Sequence, residues 1–263
     1  MQTTNILLAS ALFATLTACG GGKDITATDL AAQDQPLAAA PKTALTAAEQ
    51  AEFAAAKTKT IEGDYGVNRL VVAGKEIIKS DGKTDERDFR SLPAGLATMV
   101  SEYIDAGQKI PGYLRSLQGF RSGVAINYAA ANHRMQTYDM YGVRLPAAEL
   151  PSSGKVHYSG TIFSSIGRGT FTYDVDFNAK TGEGKIEGLS PVYGTIHLQQ
   201  SQFVGSNDAD SLIDGVASAA KGQSMSYRIW LAGHGTEEVV GFLVAPDDEP
   251  LAGFLGERGD ISQ

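Results

Sequence analysis

The stretch at residues 150–189, LPSSGKVHYSGTIFSSIGRGTFTYDVDFNAKTGEGKIEGL, decides the fold class of this chain. Between residues 169 and 177 apolar and polar side chains alternate without a break, and residues 155–162 have the same period. Successive side chains of a β-strand point to opposite faces, so the pattern predicts half-buried antiparallel strands joined by glycine-rich turns. The apolar face of such strands must be covered by a second layer or by closure of the sheet on itself.

Beyond these two strands the sequence predicts further short strands, at residues 184–189, 194–199, 211–219, 224–232, 239–244 and 251–255. The total of about eight regularly spaced strands is typical of an up-and-down β-barrel, which leaves no strand edge exposed. In a barrel of that size side chains fill the interior, so we expect a packed core and no ligand-binding cup. The barrel is expected to occupy residues 149–263.

Residues 58–148 predict a separate, small α+β domain. Segments at residues 64–72 and 75–79 flank Ala73-Gly74 and are typical of a β-hairpin. Residues 93–106 begin with Pro93, carry apolar side chains at helical spacing and are followed by Gly107, which is the pattern of an amphipathic helix. Two more strands are expected, at residues 120–128 and 134–143. The predicted fold class is mainly β, with a small α+β N-terminal domain followed by an eight-stranded antiparallel up-and-down β-barrel.

The N-terminus has the features of an export signal. A short apolar run at residues 6–16 is too brief to span a bilayer and leads into Thr17, Ala18 and Cys19. This ending resembles the lipobox of bacterial lipoproteins, which implies a signal peptide over residues 1–18 and lipid attached to Cys19. The Lys or Arg that usually precedes the apolar run is missing. By the same resemblance, Gly20 after the cysteine favours the outer membrane of a Gram-negative bacterium.

Residues 19–57 predict a lipidated, flexible tether. They are rich in Ala, Thr, Gly, Gln and Asp, and their first aromatic residue is Phe53. Such a segment cannot bury enough apolar surface to fold alone and would hold the folded part roughly 30 to 40 Å from the lipid. Within it, residues 44–57 favour a local helix because they are rich in Ala and Glu.

The composition argues against a disulfide-stabilised fold and against a nucleic-acid-binding protein. Cys19 is the only cysteine, so the fold has no disulfide framework although the predicted address is extracytoplasmic. The net charge is -8 and no basic tract occurs, which argues against nucleic acid as a partner.

Three runs of the barrel carry a resemblance to a known family: LPSSGKVHYSGTIF and GTFTYDVDFNAKTGEGKIEGL within residues 150–189, and SYRIWLAGHGTEEVVGF at residues 226–242. They are similar to the C-terminal β-barrel of factor H binding protein and, more loosely, to the barrels of transferrin-binding protein B. Residues 59–145 are much less alike. The resemblance implies a surface-exposed lipoprotein, often exported by a translocator called Slam, that captures a host protein. Relatives with the same barrel behind a different N-terminal domain bind haem or haemoglobin.

No motif of a common enzyme class is present: the sequence has no Gly-x-Ser-x-Gly elbow, no phosphate-binding Gly-x-x-x-x-Gly-Lys-Ser/Thr loop and no His-Glu-x-x-His zinc motif. We therefore expect no enzymatic activity. Asp174 and Asp176 share one face of a strand, but we expect that face to be solvated, with no third oxygen ligand spaced for calcium. No metal site is expected. His157, His197 and His234 are expected at the surface.

Four residues are candidate ligand contacts. Arg228 and Trp230, the only tryptophan, are expected to point outward from one barrel strand, a pairing that is enriched at interface centres. The alternative for Trp230 is packing against the first domain across an interdomain seam. His133 lies in a loop of the domain expected to choose the ligand, with Tyr138 nearby in the chain, and both residue types can serve as axial haem ligands.

Two functions remain open at this point. The first is a non-enzymatic surface lipoprotein that binds a host serum protein, such as the complement regulator factor H, in immune evasion and virulence. The alternative is haem or haemoglobin binding for iron acquisition, with haem as the one cofactor considered. Both require the outer-membrane lipid as a partner through Cys19, and both require exposure at the cell surface. A structural role in the envelope, without a soluble ligand, is a third hypothesis.

Overall fold

The structure, a computed structural model, describes residues 26–34, 44–145, 147–205, 211–245 and 250–262. The predicted signal peptide and Cys19 lie outside these residues. Within them the chain is mainly β, with one eight-stranded sheet and one closed barrel. The predicted mainly β class and the predicted barrel are therefore confirmed.

The N-terminal sheet contains the strands β1 (Thr58–Glu62), β2 (Val67–Val72), β3 (Lys75–Asp81), β4 (Thr84–Asp88), β5 (Gly95–Asp105), β6 (Gln108–Gln118), β7 (Ser122–Ala129) and β8 (Met135–Gly142). Their order across the sheet is β1-β4-β3-β2-β5-β6-β7-β8, and all neighbours are antiparallel. The hairpin predicted at Ala73-Gly74 joins β2 to β3 as expected.

The helix predicted over residues 93–106 is wrong, because the segment forms strand β5. Ala106 and Gly107 have φ values of 46° and 86° and close a two-residue hairpin turn from β5 to β6, as Ala73 and Gly74 do between β2 and β3. Apolar side chains pack on both faces of β5, with Leu96 on one face and Met99 on the other. A strand that packs on both faces loses its two-residue period, so its apolar spacing imitated that of a helix.

The two edge strands of the sheet, β1 and β8, meet through side chains. Lys59 of β1 and Arg87 of β4 bind the two carboxylate oxygens of Asp139 on β8, at 2.6 and 2.7 Å. Arg87 also donates to the Tyr138 carbonyl oxygen at 3.0 Å, which occupies a backbone acceptor that an edge strand would otherwise leave open. The sheet is thus curled. An apolar cluster fills its inner face, formed by Phe53, Leu70, Val72, Ile77, Ile78, Phe89, Leu92, Leu114, Ala125, Tyr141 and Val143.

The barrel contains the strands β9 (Lys155–Ser164), β10 (Arg168–Asp176), β11 (Thr181–Glu187), β12 (Ile196–Gly205), β13 (Ser211–Ala219), β14 (Ser224–Ala232), β15 (Glu238–Val244) and β16 (Pro250–Ser262). Each pairs with the next along the chain, and β16 pairs with β9 to close the barrel. Buried side chains from all around the barrel fill its interior, including stacked Phe171 and Phe254 with ring centroids 4.4 Å apart. The packed core is as predicted.

Two short helices lie within the segment for which the sequence predicts a tether. Helix α1 (Ala27–Ala31) is capped by Thr26, and α2 (Ala47–Ala56) by Thr46, each through a capping box. Each places one apolar side chain in a core: Leu30 is fully buried and Phe53 is 7% exposed. Among the described residues, no helix is long and apolar enough to cross a membrane.

The sheet packs against the outside of the barrel along a contact that we call the seam. Strands β6, β7 and β8 lie against β15 and β16. The apolar part of the seam is one cluster, contributed by the sheet (Leu96, Tyr113, Leu117, Val124, Ile126, Tyr128, Met140), the barrel (Phe163, Val240, Phe242, Leu255) and Leu30 of α1. The two parts of the chain therefore share a hydrophobic core.

Candidate functional site

A buried arginine of the sheet binds the barrel across the seam. Arg115 of β6 is 1% exposed, and its Nη1 donates to the carbonyl oxygens of Ser164 and Gly167, at 2.7 and 2.8 Å, in the turn from β9 to β10. Its Nε donates to Thr98 Oγ1 at 3.1 Å, and its Nη2 binds Asp34 at 3.1 Å. Burial lowers the pKa of Arg115, and the Asp34 carboxylate opposes that effect. The planar guanidinium satisfies several acceptors in fixed directions, which a lysine could not do.

A buried glutamate of the barrel binds the sheet in return. Glu238, at the start of β15, is 1% exposed and accepts from the backbone N–H groups of Phe120 and Arg121, at 2.7 and 3.1 Å, and from Ser122 Oγ at 2.7 Å. These three donors lie in the turn from β6 to β7 and at the first residue of β7. Burial raises the pKa of the Glu238 carboxyl, and the three hydrogen bonds limit the rise. The seam thus combines an apolar cluster with two buried charged side chains, a cationic one from the sheet and an acidic one from the barrel.

Where the seam opens to solvent, a groove of about 400 Å³ lies between β8 of the sheet and strands β13, β14 and β15 of the barrel. We call it the seam groove; it is lined by Tyr138, Asp214, Gly215, Ser226, Tyr227, Arg228, Phe242 and Val244. Two of the predicted contact residues, Tyr138 and Arg228, are thereby brought together from different parts of the chain.

The seam groove has an aromatic side and a charged side. The Tyr138 ring is 38% exposed and stands edge-on to Phe242, with ring centroids 5.0 Å apart. Arg228 forms two hydrogen bonds with the Asp214 carboxylate, at 2.8 and 3.0 Å, and this pairing raises the pKa of Arg228. A partly exposed tyrosine ring, supported by a buried phenylalanine and next to a fixed Arg–carboxylate pair, suits the recognition of protein side chains.

Trp230 points outward from β14, as predicted, but the seam covers part of it. It packs against the seam cluster, and the guanidinium of Arg144 lies 3.7 Å from its ring centroid. Arg144 belongs to the short connection between sheet and barrel and also bridges to Ala232. The alternative expectation for Trp230, packing at the interdomain seam, is therefore confirmed, and its role as a ligand contact stays a prediction.

His133 lies away from the seam groove, in the loop from β7 to β8. Its Nδ1 is 2.7 Å from the Tyr113 hydroxyl, which donates to the Ser165 carbonyl oxygen of the barrel at 2.8 Å. Burial raises the pKa of Tyr113 to about 12, so this hydroxyl keeps its proton. A hydroxyl that donates to Ser165 can only accept from His133, which places the imidazole proton on Nδ1.

The remaining titratable candidates occupy the surface. His157, His197 and His234 are exposed as predicted, and His157 pairs with Asp174 at 2.7 Å. His234 is held by Glu52 of α2 at 2.8 Å, which raises the pKa of its imidazole. In the described part of the chain no group of three or more His, Cys, Asp or Glu side chains could hold a metal ion.

The sequence did not indicate several residues that matter here. Asp214 and Phe242 flank Arg228 through the strand register, since Arg228 pairs with Asp214 on β13 and with Phe242 on β15. Arg115 and Glu238 were also missed. An isolated charge within an otherwise apolar strand is the signal that could have found Arg115, because such charges are seldom buried without a partner.

The fold and the groove together define a mainly β protein in which a closed, solid barrel carries a second sheet on its side and an open groove between them. Residues 148–243 match the family model described as factor H binding protein, C-terminal. The predicted resemblance of the barrel to that family is therefore confirmed.

Solved structures that match parts of the chain come from several bacteria. A transferrin-binding protein B double mutant from Haemophilus parasuis Hp5 matches with 12% identity, over 73% of this chain and 44% of its own, at a TM-score of 0.45. HpuA from Kingella denitrificans, solved in complex with human haemoglobin, matches with 14% identity, over 78% of this chain and 88% of its own, at a TM-score of 0.47. The chain spans less than half the length of three of the transferrin-binding protein B chains it matches, which it covers to 44, 44 and 46%.

Proposed function

We propose that this protein is a lipid-anchored surface protein that binds a host protein, without enzymatic activity, and that the seam groove is the centre of the binding surface. The observation that carries the proposal is the groove itself, where Tyr138 and Phe242 of two different modules stand beside the paired Arg228 and Asp214. The match of the barrel to the factor H binding protein family supports a host complement regulator as the partner. Anchoring through Cys19 and export by a Slam-type translocator belong to the same proposal.

The groove is built for a protein partner more than for a small molecule. It is open to solvent along the seam, and its ion pair is half-exposed, with 47% and 40% of the Arg228 and Asp214 side chains accessible. Small-molecule sites bury most of their ligand in an enclosed, mostly apolar cavity. A protein side chain could instead stack on Tyr138 while its neighbours bond to the Arg228–Asp214 pair.

Binding of the full chain to serum proteins, with factor H as the first candidate, tests the proposal. The double variant Tyr138→Ala with Arg228→Ala should weaken binding by about 2 kcal/mol or more, which is the range of interface hot spots. Arg90→Ala is the matched control, since Arg90 pairs with Asp88 on the sheet, is 64% exposed and does not line the groove. Equal loss in both variants would remove the groove from the proposal, and no retained serum protein would refute host-protein binding.

The geometry of His133 favours a second candidate, haem binding. With the proton on Nδ1, Nε2 is the unprotonated nitrogen, and it makes no hydrogen bond within the described part of the chain. This is the tautomer that a metal-ligating histidine needs, with its other nitrogen fixed by a hydrogen bond. Mixing the full chain with haem should shift the Soret band, and His133→Ala should abolish the shift. An unchanged spectrum in the unmodified chain would refute haem binding.

A further inference from the structure

We propose that residues 26–34, which we call the strap, dock on the folded sheet and barrel on the side opposite the seam groove. The docked strap thereby fixes which side of the protein faces the bilayer. This inference rests on the proposed lipid anchor at Cys19. It adds an orientation, a membrane-facing surface and an outward-facing groove to the proposed function.

Two contacts hold the strap. Leu30 is fully buried in the seam cluster, and Ala27 packs against the same cluster. Three residues beyond α1, the Asp34 carboxylate binds the buried Arg115 at 3.1 Å, with only 9% of the Asp34 side chain exposed. A segment held by a buried leucine at its middle and a buried ion pair at its last residue has a defined place on the folded protein, unlike a free coil.

The strap and the groove lie on opposite flanks of the seam. On the sheet, α1 contacts β5, whereas the groove borders β8, and β6 and β7 lie between. On the barrel, Arg115 next to the strap binds the turn from β9 to β10, whereas the groove borders β13 to β15. Strand β13 is four strands from β9 in either direction around the barrel, which places it on the far side.

Because the chain between the lipid anchor and the strap is short, the position of the strap also sets the orientation of the protein on the membrane. Cys19 precedes Thr26 by seven residues, and a chain of that length spans at most about 25 Å even when fully extended. A docked strap therefore holds its own flank close to the lipid. That flank exposes two apolar side chains, Val100 of β5 at 69% and Ile166 of the β9–β10 turn at 46%. We infer that this is the surface that meets the bilayer, and that the groove opens away from it.

Two exposed valines offer a matched pair of probes. Val100 lies on the strap flank, and Val216 of β13, 48% exposed, lies on the groove flank. Because Cys19 is the only cysteine and its sulfur carries the lipid in the proposed form, a cysteine introduced by Val100→Cys or Val216→Cys can be labelled alone. The full lipidated chain, labelled with the same fluorophore at either position, is inserted into phosphatidylethanolamine–phosphatidylglycerol vesicles that carry a headgroup quencher.

We expect stronger quenching of the probe at residue 100 than of the probe at residue 216. The strap variant Leu30→Glu with Asp34→Asn should abolish that difference, while Gln33→Ala, an exposed change in the same segment, should preserve it. Emission of Trp230 checks that each variant keeps its folded body. Equal quenching at both probes in the unmodified chain would overturn the orientation and leave host-protein binding untouched. A chain that stays out of the membrane fraction would overturn the lipid anchor, and with it the orientation.

Discussion

Arg115 and Glu238 cross the seam in opposite directions, and each recognises a turn of the other module by its main chain. Arg115 of the sheet donates to two carbonyl oxygens of the barrel, and Glu238 of the barrel accepts from two backbone N–H groups of the sheet. Both side chains are 1% exposed. Together with the shared apolar cluster, this reciprocal arrangement makes the sheet and the barrel one mechanical unit, so the groove between them is preformed.

Replacing Arg115 should destabilise the whole chain. Arg115→Ala removes the buried cation that binds the Asp34 carboxylate and the Ser164 and Gly167 carbonyl oxygens, of which Gly167 keeps the Ser164 N–H as a donor. We expect the free energy of unfolding to fall by about 3 kcal/mol. Arg115→Lys should recover only part of the loss, because a lysine cannot reach all four acceptors in plane. Urea unfolding measures the change. A lysine variant as stable as the unmodified chain would contradict the proposed geometry.

Glu238→Gln should reduce stability at neutral pH and change its pH dependence. In the variant an amide nitrogen replaces one carboxylate oxygen and points at a hydrogen-bond donor. The lost hydrogen bond is expected to lower the free energy of unfolding by about 1 to 3 kcal/mol. Burial raises the pKa of Glu238 in the folded chain above the value of 4.5 in the unfolded chain. The folded state then binds more protons, so its stability falls as pH rises from 4.5 through the raised pKa. Urea unfolding across this range should show the slope in the unmodified chain and a flatter profile in the variant; parallel profiles would refute the shift.

His234 should make the docking of α2 pH-dependent. Its hydrogen bond to Glu52 raises the pKa of the imidazole above 6.5, with a smaller contribution from Glu149. The contribution of this contact is complete below pH 6.5 and is lost as pH rises through the raised pKa. Hydrogen exchange of the α2 amides should accordingly quicken across that interval, beyond the intrinsic pH effect. His234→Gln should show no such excess, and an identical excess in both proteins would exclude this histidine as its source.

Trp230 should report on the seam, because it is the only tryptophan and lies between the seam cluster and Arg144. Arg144→Ala removes the cation from one face of the ring, which should shift the emission maximum to longer wavelength as water reaches the indole. The matched change is Arg90→Ala, whose guanidinium pairs with Asp88 on the sheet. A shift of the same size in both variants would show that Arg144 does not shield the indole.

Gly160 tests the closure of the barrel. It lies on β9, where a Cβ atom would stand 1.9 Å from the Leu255 carbonyl oxygen of β16. Because the neighbouring atom is backbone, Gly160→Ala should separate the closing strands and lower the free energy of unfolding by about 2 kcal/mol. Gly66→Ala is the control, since its only neighbour within 4 Å is a side-chain atom of Asn68 at 3.8 Å. Thermal unfolding compares the two variants, and equal midpoints would mean that the closing strands accommodate the methyl group.

The sequence predicted the barrel well because its strands have one solvated face. Tyr173 and Val175 of β10 are buried while Asp174 between them is exposed, so the two-residue period is visible in the residue types. The strands of the N-terminal sheet were harder to predict. Every residue of β7 is buried, and β5 packs on both faces, so neither has a polar face to mark its period. The Ala-Gly turn that correctly indicated the first hairpin recurs at Ala106-Gly107, but Pro93, the apolar spacing and Gly107 together suggested a helix.

The groove was predictable only in part, for a different reason. Arg228 could be chosen as an outward residue of interface type and Tyr138 as a possible haem ligand near His133, but their neighbours Asp214 and Phe242 depend on strand register and on how the sheet docks. Neither the strand register nor the docking of the sheet can be inferred from the local sequence. The docking of Leu30 was likewise hidden, since one leucine in a polar, alanine-rich segment gives no periodic signal.

The sheet holds the turn from β9 to β10 through the carbonyl oxygens of Ser164, Ser165 and Gly167. Exposed Ile166 at its centre can therefore be exchanged for another residue without loosening the join between sheet and barrel. The chemistry of this surface position is thereby separated from the architecture of the protein. The side chain at residue 166 is free to change, while the main chain beneath it keeps the sheet and the barrel in register.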